Sequence, residues 1–79
     1  MSVRVASEDA AAWCRDVGAN IRRMRRAQGL TQAVLARRAG LSTGYVSLIE
    51  RGRANPRLET MAALAQALKA SPVELLKAA

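Results

Sequence analysis

The sequence predicts an all-α fold, a compact five-helix domain with a helix-turn-helix at its centre. Three observations carry this. Ala is abundant and aromatics make up only 3 % of the chain, with no Phe; Ala and Leu are strong helix formers. Two short apolar patterns of helical period lie between Gly29 and Gly52, each opened by a hydroxyl residue and closed by a glycine. Only Gly40 and Leu41 separate those patterns, so the two helices must cross sharply rather than lie side by side as a hairpin, which is the helix-turn-helix arrangement.

At 79 residues the chain is long enough for one domain. Residues 1–8 read as a flexible N-terminal arm, in which Val3 and Val5 alternate with Arg4 and suggest an added strand as an alternative. The domain proper is 9–79. Ser7 or Asp9 is suited to cap a first helix reaching about Gln28, with Trp13, Val17, Ile21 and Met24 at the spacing of one helical face. Gly18 lies within that stripe and weakens a helix by up to about 1 kcal/mol relative to Ala, so a later start near Asp16 or Val17 is the alternative. Trp13 is then either the lid of the core or part of a partner surface.

Thr31 caps the second helix, whose inward residues are Leu35, Ala36 and Ala39; Gly40 stops it. Ser42 caps the third, with Val46 and Ile49 on one face and Gly52 as the left-handed stop after Arg51. Arg53 to Pro56 reads as a loop, because proline lacks a helical donor and biases the residue before it away from helix. Leu58, Met61, Leu64, Ala65 and Leu68 share a face of the fourth helix. Ser71-Pro72-Val73-Glu74 combines a cap, a first-position proline and a capping-box glutamate, and opens a short fifth helix with Leu75 and Leu76.

Thirteen basic residues face six acids, a net charge of +7, and eleven of the thirteen are Arg. From Arg22 to Arg57 nine Arg face one acid, Glu50, a net of +8 for that segment. Clustered Arg of this kind fits a polyanion, with nucleic acid first and an anionic membrane surface second. The chain has no His and one cysteine, Cys14, so neither a metal site nor an internal disulfide is expected. No glycine-rich phosphate loop and no pair of acids spaced for acid–base work is present. These absences argue against an enzyme and against a cofactor. The N-terminus lacks the apolar stretch of a signal peptide and no run approaches membrane-spanning length, so a bacterial-style cytoplasmic location, without membrane attachment, is expected.

Ile21-Arg22, Arg25, Gly29-Leu30-Thr31-Gln32, Leu35-Ala36, Gly40-Leu41-Ser42, Tyr45-Val46-Ser47, Ile49-Glu50-Arg51-Gly52, Asn55-Pro56, Leu64-Ala65 and Leu68 follow one another in an order that resembles the Cro and phage-repressor type of helix-turn-helix. This is the Xre-like family of bacterial and phage regulators, and the resemblance spans about Val17 to Leu76. It implies a lambda-repressor-like DNA-binding domain whose third helix enters the major groove while the second crosses the backbone. By the same resemblance, Gln32 touches a phosphate and braces the recognition helix, and Arg25 pairs with Glu50 as a structural ion pair.

With Val46 and Ile49 facing the core, Thr43, Gly44, Ser47 and Leu48 face outward and are the candidate base-facing residues. Arg22, Gln32, Ser42, Tyr45, Arg51, Arg53 and Arg57 are the candidate backbone contacts; for Tyr45 a packing role is the alternative. Arg26, Arg37 and Arg38 fit this set less well, and a solvated charged face explains the last two. Thr43, Gly44 and Leu48 stand where relatives often carry Arg, Gln, Lys or Asn, the side chains that make bidentate base contacts. Direct readout is therefore thin, and deformability, water and Arg contacts gain weight. The expected function is a sequence-specific DNA-binding transcriptional regulator, a repressor acting as a homodimer on a two-fold site in double-stranded DNA. Val73, Leu75, Leu76 and Trp13 are the candidate dimer contacts. The alternative is a protein-interaction module, antitoxin-like or accessory, that docks on another protein and binds DNA weakly or indirectly. No set of polar residues points to a small-molecule effector.

Overall fold

A computed structural model describes the backbone of residues 6–79 and the side chains from residue 10 onward. Five helices follow one another: α1 Ala6–Ala27, α2 Gln32–Ala39, α3 Thr43–Glu50, α4 Leu58–Ala67 and α5 Pro72–Leu76. No strand occurs among the described residues. Helix α1 packs against α3 and α5, α2 against α3 and α4, and α4 against α5. The core is small and aliphatic: Val17, Ile21, Leu35, Ala36, Val46, Ile49, Leu64, Ala65, Leu68 and Leu75, with every helix contributing. None of the described helices is long and apolar enough to cross a membrane.

The first helix is longer and more continuous than the sequence suggests. It is already helical at Ala6 and runs unbroken through Gly18, so neither Ser7 nor Asp9 is its cap and the later start is not seen. Of the expected arm, residues 6–8 are helical and residues 1–5, with Val3 and Val5, lie outside the described residues. Gly18 is not a weak link. A Cβ at that position would collide with the carbonyl oxygen of Ile49 and come within 2.9 Å of the carbonyl oxygen of Glu50, so the missing side chain is what lets α1 seat on the last turn of α3.

Two apolar residues fall elsewhere than expected, and Trp13 takes the second of its two expected places. Leu58, assigned to the core face of α4, is 78 % exposed; it is the first residue of the helix, one turn ahead of Met61, where that face meets the core. Trp13 is 65 % exposed and is no lid. Leu75, assigned to a dimer surface, is fully buried in the protomer's own core. Helix α5 presents one face to α1 and α4, and successive residues on a helix point about 100° apart, so Leu75 turns inward while Val73 and Leu76 remain exposed.

Candidate nucleic-acid interface

The helix-turn-helix is held by local hydrogen bonds that the sequence encodes directly. The Thr31 hydroxyl accepts from the Val34 N–H at 3.1 Å and opens α2. Gly40 closes it in the left-handed region, φ 71°, and the Leu41 N–H donates to the Ala36 carbonyl at 2.8 Å. A side chain other than glycine is costly at this φ. Two residues later the Ser42 hydroxyl accepts from the Tyr45 N–H at 3.1 Å and opens α3.

Val46 and Ile49 are buried and fix the rotation of α3. Its other side carries Thr43 and Gly44, both exposed, the half-buried Ser47, and Leu48 at 39 % exposure. Tyr45 is half-buried against the core edge. Nothing lies within 4 Å of where a Gly44 Cβ would be, so the outer face of α3 is unobstructed backbone at that point. Arg51, Arg53 and Arg57, each exposed, follow in the segment after α3, and Arg22 is exposed on α1. Arg57 lies 3.8 Å from Glu59, both almost wholly in solvent, a pairing that contributes little.

Behind this face sits the expected ion pair. The Arg25 Nε donates to Glu50 Oε2 at 2.7 Å and an Nη donates to Oε1 at 3.0 Å, a two-pronged contact. Gln32 Nε2 donates to the same Oε1 at 3.0 Å. The carboxylate side chain is 2 % exposed and the guanidinium side chain 11 %. Burial pushes the Glu50 carboxyl upward, but hydrogen bonds from Arg25 and Gln32, with the charges of Arg25 and Arg22, overcome it and hold the group below its ordinary value. The Arg25 pKa is raised by its hydrogen bond to Glu50, against the opposing effect of burial. Arg25 also donates to the Leu30 carbonyl at 2.8 Å. One cluster thus ties α1, the α1–α2 turn, the first turn of α2 and the last turn of α3 together. Gln32 is a brace in this geometry, as the resemblance implies.

Sequence reasoning missed a second polar anchor. Asn20 is completely buried. Its Nδ2 donates to the carbonyls of Leu75 at 3.0 Å and Lys77 at 2.8 Å, and its Oδ1 accepts from Arg23 at 2.8 Å. It closes the carbonyl end of α5 from the side of α1. The available signal was position: Asn20 lies three residues after Val17 and beside Ile21, on the buried arc of α1. Gln28 does the same for α4, donating to the Leu68 carbonyl at 2.7 Å.

A family model described as a helix-turn-helix domain matches residues 16–78. The chain belongs to the Xre-like helix-turn-helix family of transcriptional regulators. Among its relatives, an uncharacterized HTH-type transcriptional regulator of Sinorhizobium fredii is 52 % identical over 60 residues, 76 % of this chain and 78 % of that protein. The crystal structure of the restriction-modification controller protein C.AhdI from Aeromonas hydrophila superposes with a TM-score of 0.77 at 40 % identity, covering 78 % of this chain and 94 % of that one. The P22 c2 repressor, solved in complex with a synthetic operator, gives a TM-score of 0.73 at 38 % identity over 77 % of this chain and 92 % of that one. The five helices and the exposed face of α3 are therefore a lambda-repressor-like domain in a helix-turn-helix regulator.

Proposed function

We propose that this regulator is a sequence-specific DNA-binding repressor that reads the major groove with α3 and acts as a homodimer on a two-fold operator. The observation that carries the reading is the face of α3. Thr43, Gly44, Ser47 and Leu48 form an outward surface held rigid from behind by the Arg25–Glu50–Gln32 cluster. Around it stand Arg22, Arg51, Arg53 and Arg57, all exposed, where the phosphates flanking a groove would lie. Ser42 and Tyr45 stand at the start of α3, close enough to the groove rim for backbone contacts. A helix-turn-helix relative solved on a synthetic operator supports the assignment.

Thr43 and Ser47 offer single hydrogen bonds, Gly44 a close backbone approach, and Leu48 an apolar contact suited to a thymine methyl. Selectivity then leans on DNA shape and on two half-sites about 34 Å apart, read by two copies. Trp13, Val73 and Leu76 are the exposed apolar residues from which the dimer contact is built. The regulator works on chromosomal or phage DNA in the cytoplasm and needs no cofactor for this.

Mobility shift on the DNA upstream of its own gene, against scrambled DNA at two salt concentrations, tests the reading. A selective, salt-sensitive shift with two protomers per site is expected. Arg51→Ala should weaken binding on all sequences alike, whereas Thr43→Ala should change preference at one position. Equal, weak binding to both DNAs would refute the operator reading and turn attention to a protein partner at Leu48.

A further inference from the structure

Resting on that DNA-binding reading, we propose that one edge of α1, carrying Arg15, Arg22 and Arg26, is a second phosphate-contacting surface that runs beside the recognition helix and extends the footprint past the helix-turn-helix. Arg22 is legible as a backbone contact from the sequence and Arg26 fits that set less well; Arg15 joins them through its place beside Gly52.

The three are seven and four residues apart, so they lie on one helical stripe. All are exposed. From Arg15 to Arg26 the stripe is about 16 Å long at 1.5 Å per residue. It is anchored to the end of α3 at two points. At one, Gly18 lies directly against the carbonyls of Ile49 and Glu50. At the other, Gly52 lies so close to Arg15 that an added Cβ would stand 3.1 Å from the Arg15 Cα and 2.9 Å from its Cγ. The stem of Arg15 therefore starts beside the Arg51-Gly52-Arg53 segment, which sets a third Arg next to the two that flank Gly52.

Farther along, Ala19 leaves the stripe open, and Ala19, Arg22, Arg23, Arg26 and Glu50 line a hollow of about 400 Å³. Glu50 is committed to Arg25 and Gln32. None of Arg15, Arg22 and Arg26 makes an ion pair with an acid among the described residues. Three like charges held on one edge repel one another, and a polyanionic strand relieves that repulsion. The edge has the length to meet more than one phosphate, since each strand of DNA carries a charge about every 3.4 Å of axis. This surface fits a recognition helix with few base-reading side chains, because it adds affinity that carries no sequence information.

The test is fluorescence anisotropy over a salt series, on the duplex identified by mobility shift and on a scrambled duplex. Each phosphate contact contributes about 0.9 to the slope of log affinity against log salt. With two protomers per site, the double variant Arg15→Ala/Arg26→Ala removes four such contacts and should therefore lower the slope by about 3.6 on both duplexes. Arg15→Lys/Arg26→Lys should keep the wild-type slope. Arg37→Ala/Arg38→Ala removes the same charge from the far end of α2, beside α4, and should leave the slope unchanged. Thermal unfolding followed by circular dichroism establishes that the variants are folded. An unchanged slope in the double alanine variant, or an equal loss in the Arg37/Arg38 pair, would overturn the inference while leaving α3 as the reader. Failure of the wild-type protein to bind either duplex would remove the DNA-binding reading itself, and this surface with it.

Discussion

Gly18→Ala separates two lines of physical reasoning that predict opposite signs. Helix propensity alone favours alanine over glycine in a helix interior by about 0.8–1.0 kcal/mol. The packing opposes it. The new methyl would collide with the Ile49 carbonyl oxygen and sit 2.9 Å from the Glu50 oxygen and 3.0 Å from the Glu50 carbonyl carbon. All three are backbone atoms, so no rotamer change gives way and α1 must lift from α3. Overpacking of this kind costs about 1–3 kcal/mol, and the upper end applies because lifting α1 also stretches the Arg25–Glu50 contact that bridges the same helices. Offsetting the propensity gain leaves a net loss of about 2 kcal/mol, or a fall in Tm of about 8–16 °C for a domain of this size. Gly44→Ala is the matched control. It lies in a helix with no atom within 4 Å of the added Cβ, so it should raise stability by about 0.5–1 kcal/mol. Urea and thermal unfolding by circular dichroism read both. A Gly18→Ala protein as stable as wild type, or more so, would refute the close-approach account of the α1–α3 crossing.

The polar cluster and α5 give further expected outcomes. Because the folded-state pKa of Glu50 is depressed, its carboxylate contributes stability that is present above the ordinary carboxylate pKa of about 4.3 and is lost as pH falls through the folded value; Glu50→Gln should flatten this acid limb in pH-dependent unfolding. At neutral pH the same change should cost about 3 kcal/mol, the low end for a broken buried pair, since the Arg25 side chain keeps 11 % of its surface in solvent; an unaltered acid limb would sink the assignment. Leu75→Ala should cost about 2–5 kcal/mol of stability at any protein concentration. Leu76→Ala should leave the protomer within about 0.5 kcal/mol and instead weaken self-association. Sedimentation distinguishes the two, as does the emission of Trp13, the single tryptophan; concentration-independent emission and a monomeric wild type would count against a dimer built on Trp13 and Leu76.

Much of the helix-turn-helix is legible from residue order, and the reason is locality. Thr31, Gly40 and Ser42 act within four or five residues of themselves, through the Val34, Ala36 and Tyr45 backbone, so their chemistry survives in a one-dimensional reading. The Ser71–Glu74 capping box is of the same kind. The Arg25–Glu50 pair spans 25 residues and was reached only through resemblance to the Xre-like pattern, not from spacing. Helical period places Leu58 on the core face, but period gives a direction around the axis and says nothing about whether a neighbour covers that turn.

The sequence by itself determined the five helices, the caps and glycine stops that set the sharp α2–α3 crossing, and the concentration of arginine in the segment that contains them. Tertiary structure alone decided what faces what across the chain. Asn20 reaches a carbonyl 55 residues away. Gly18 proved to be a point of contact between backbones. Leu75 turned inward while Leu76, one residue on, stayed at the surface. Arg15 came to stand beside Gly52. The physical reason is common to all four: burial and close approach depend on which surfaces meet when helices pack, and that is set by distant residues rather than by the period of the helix that carries the side chain.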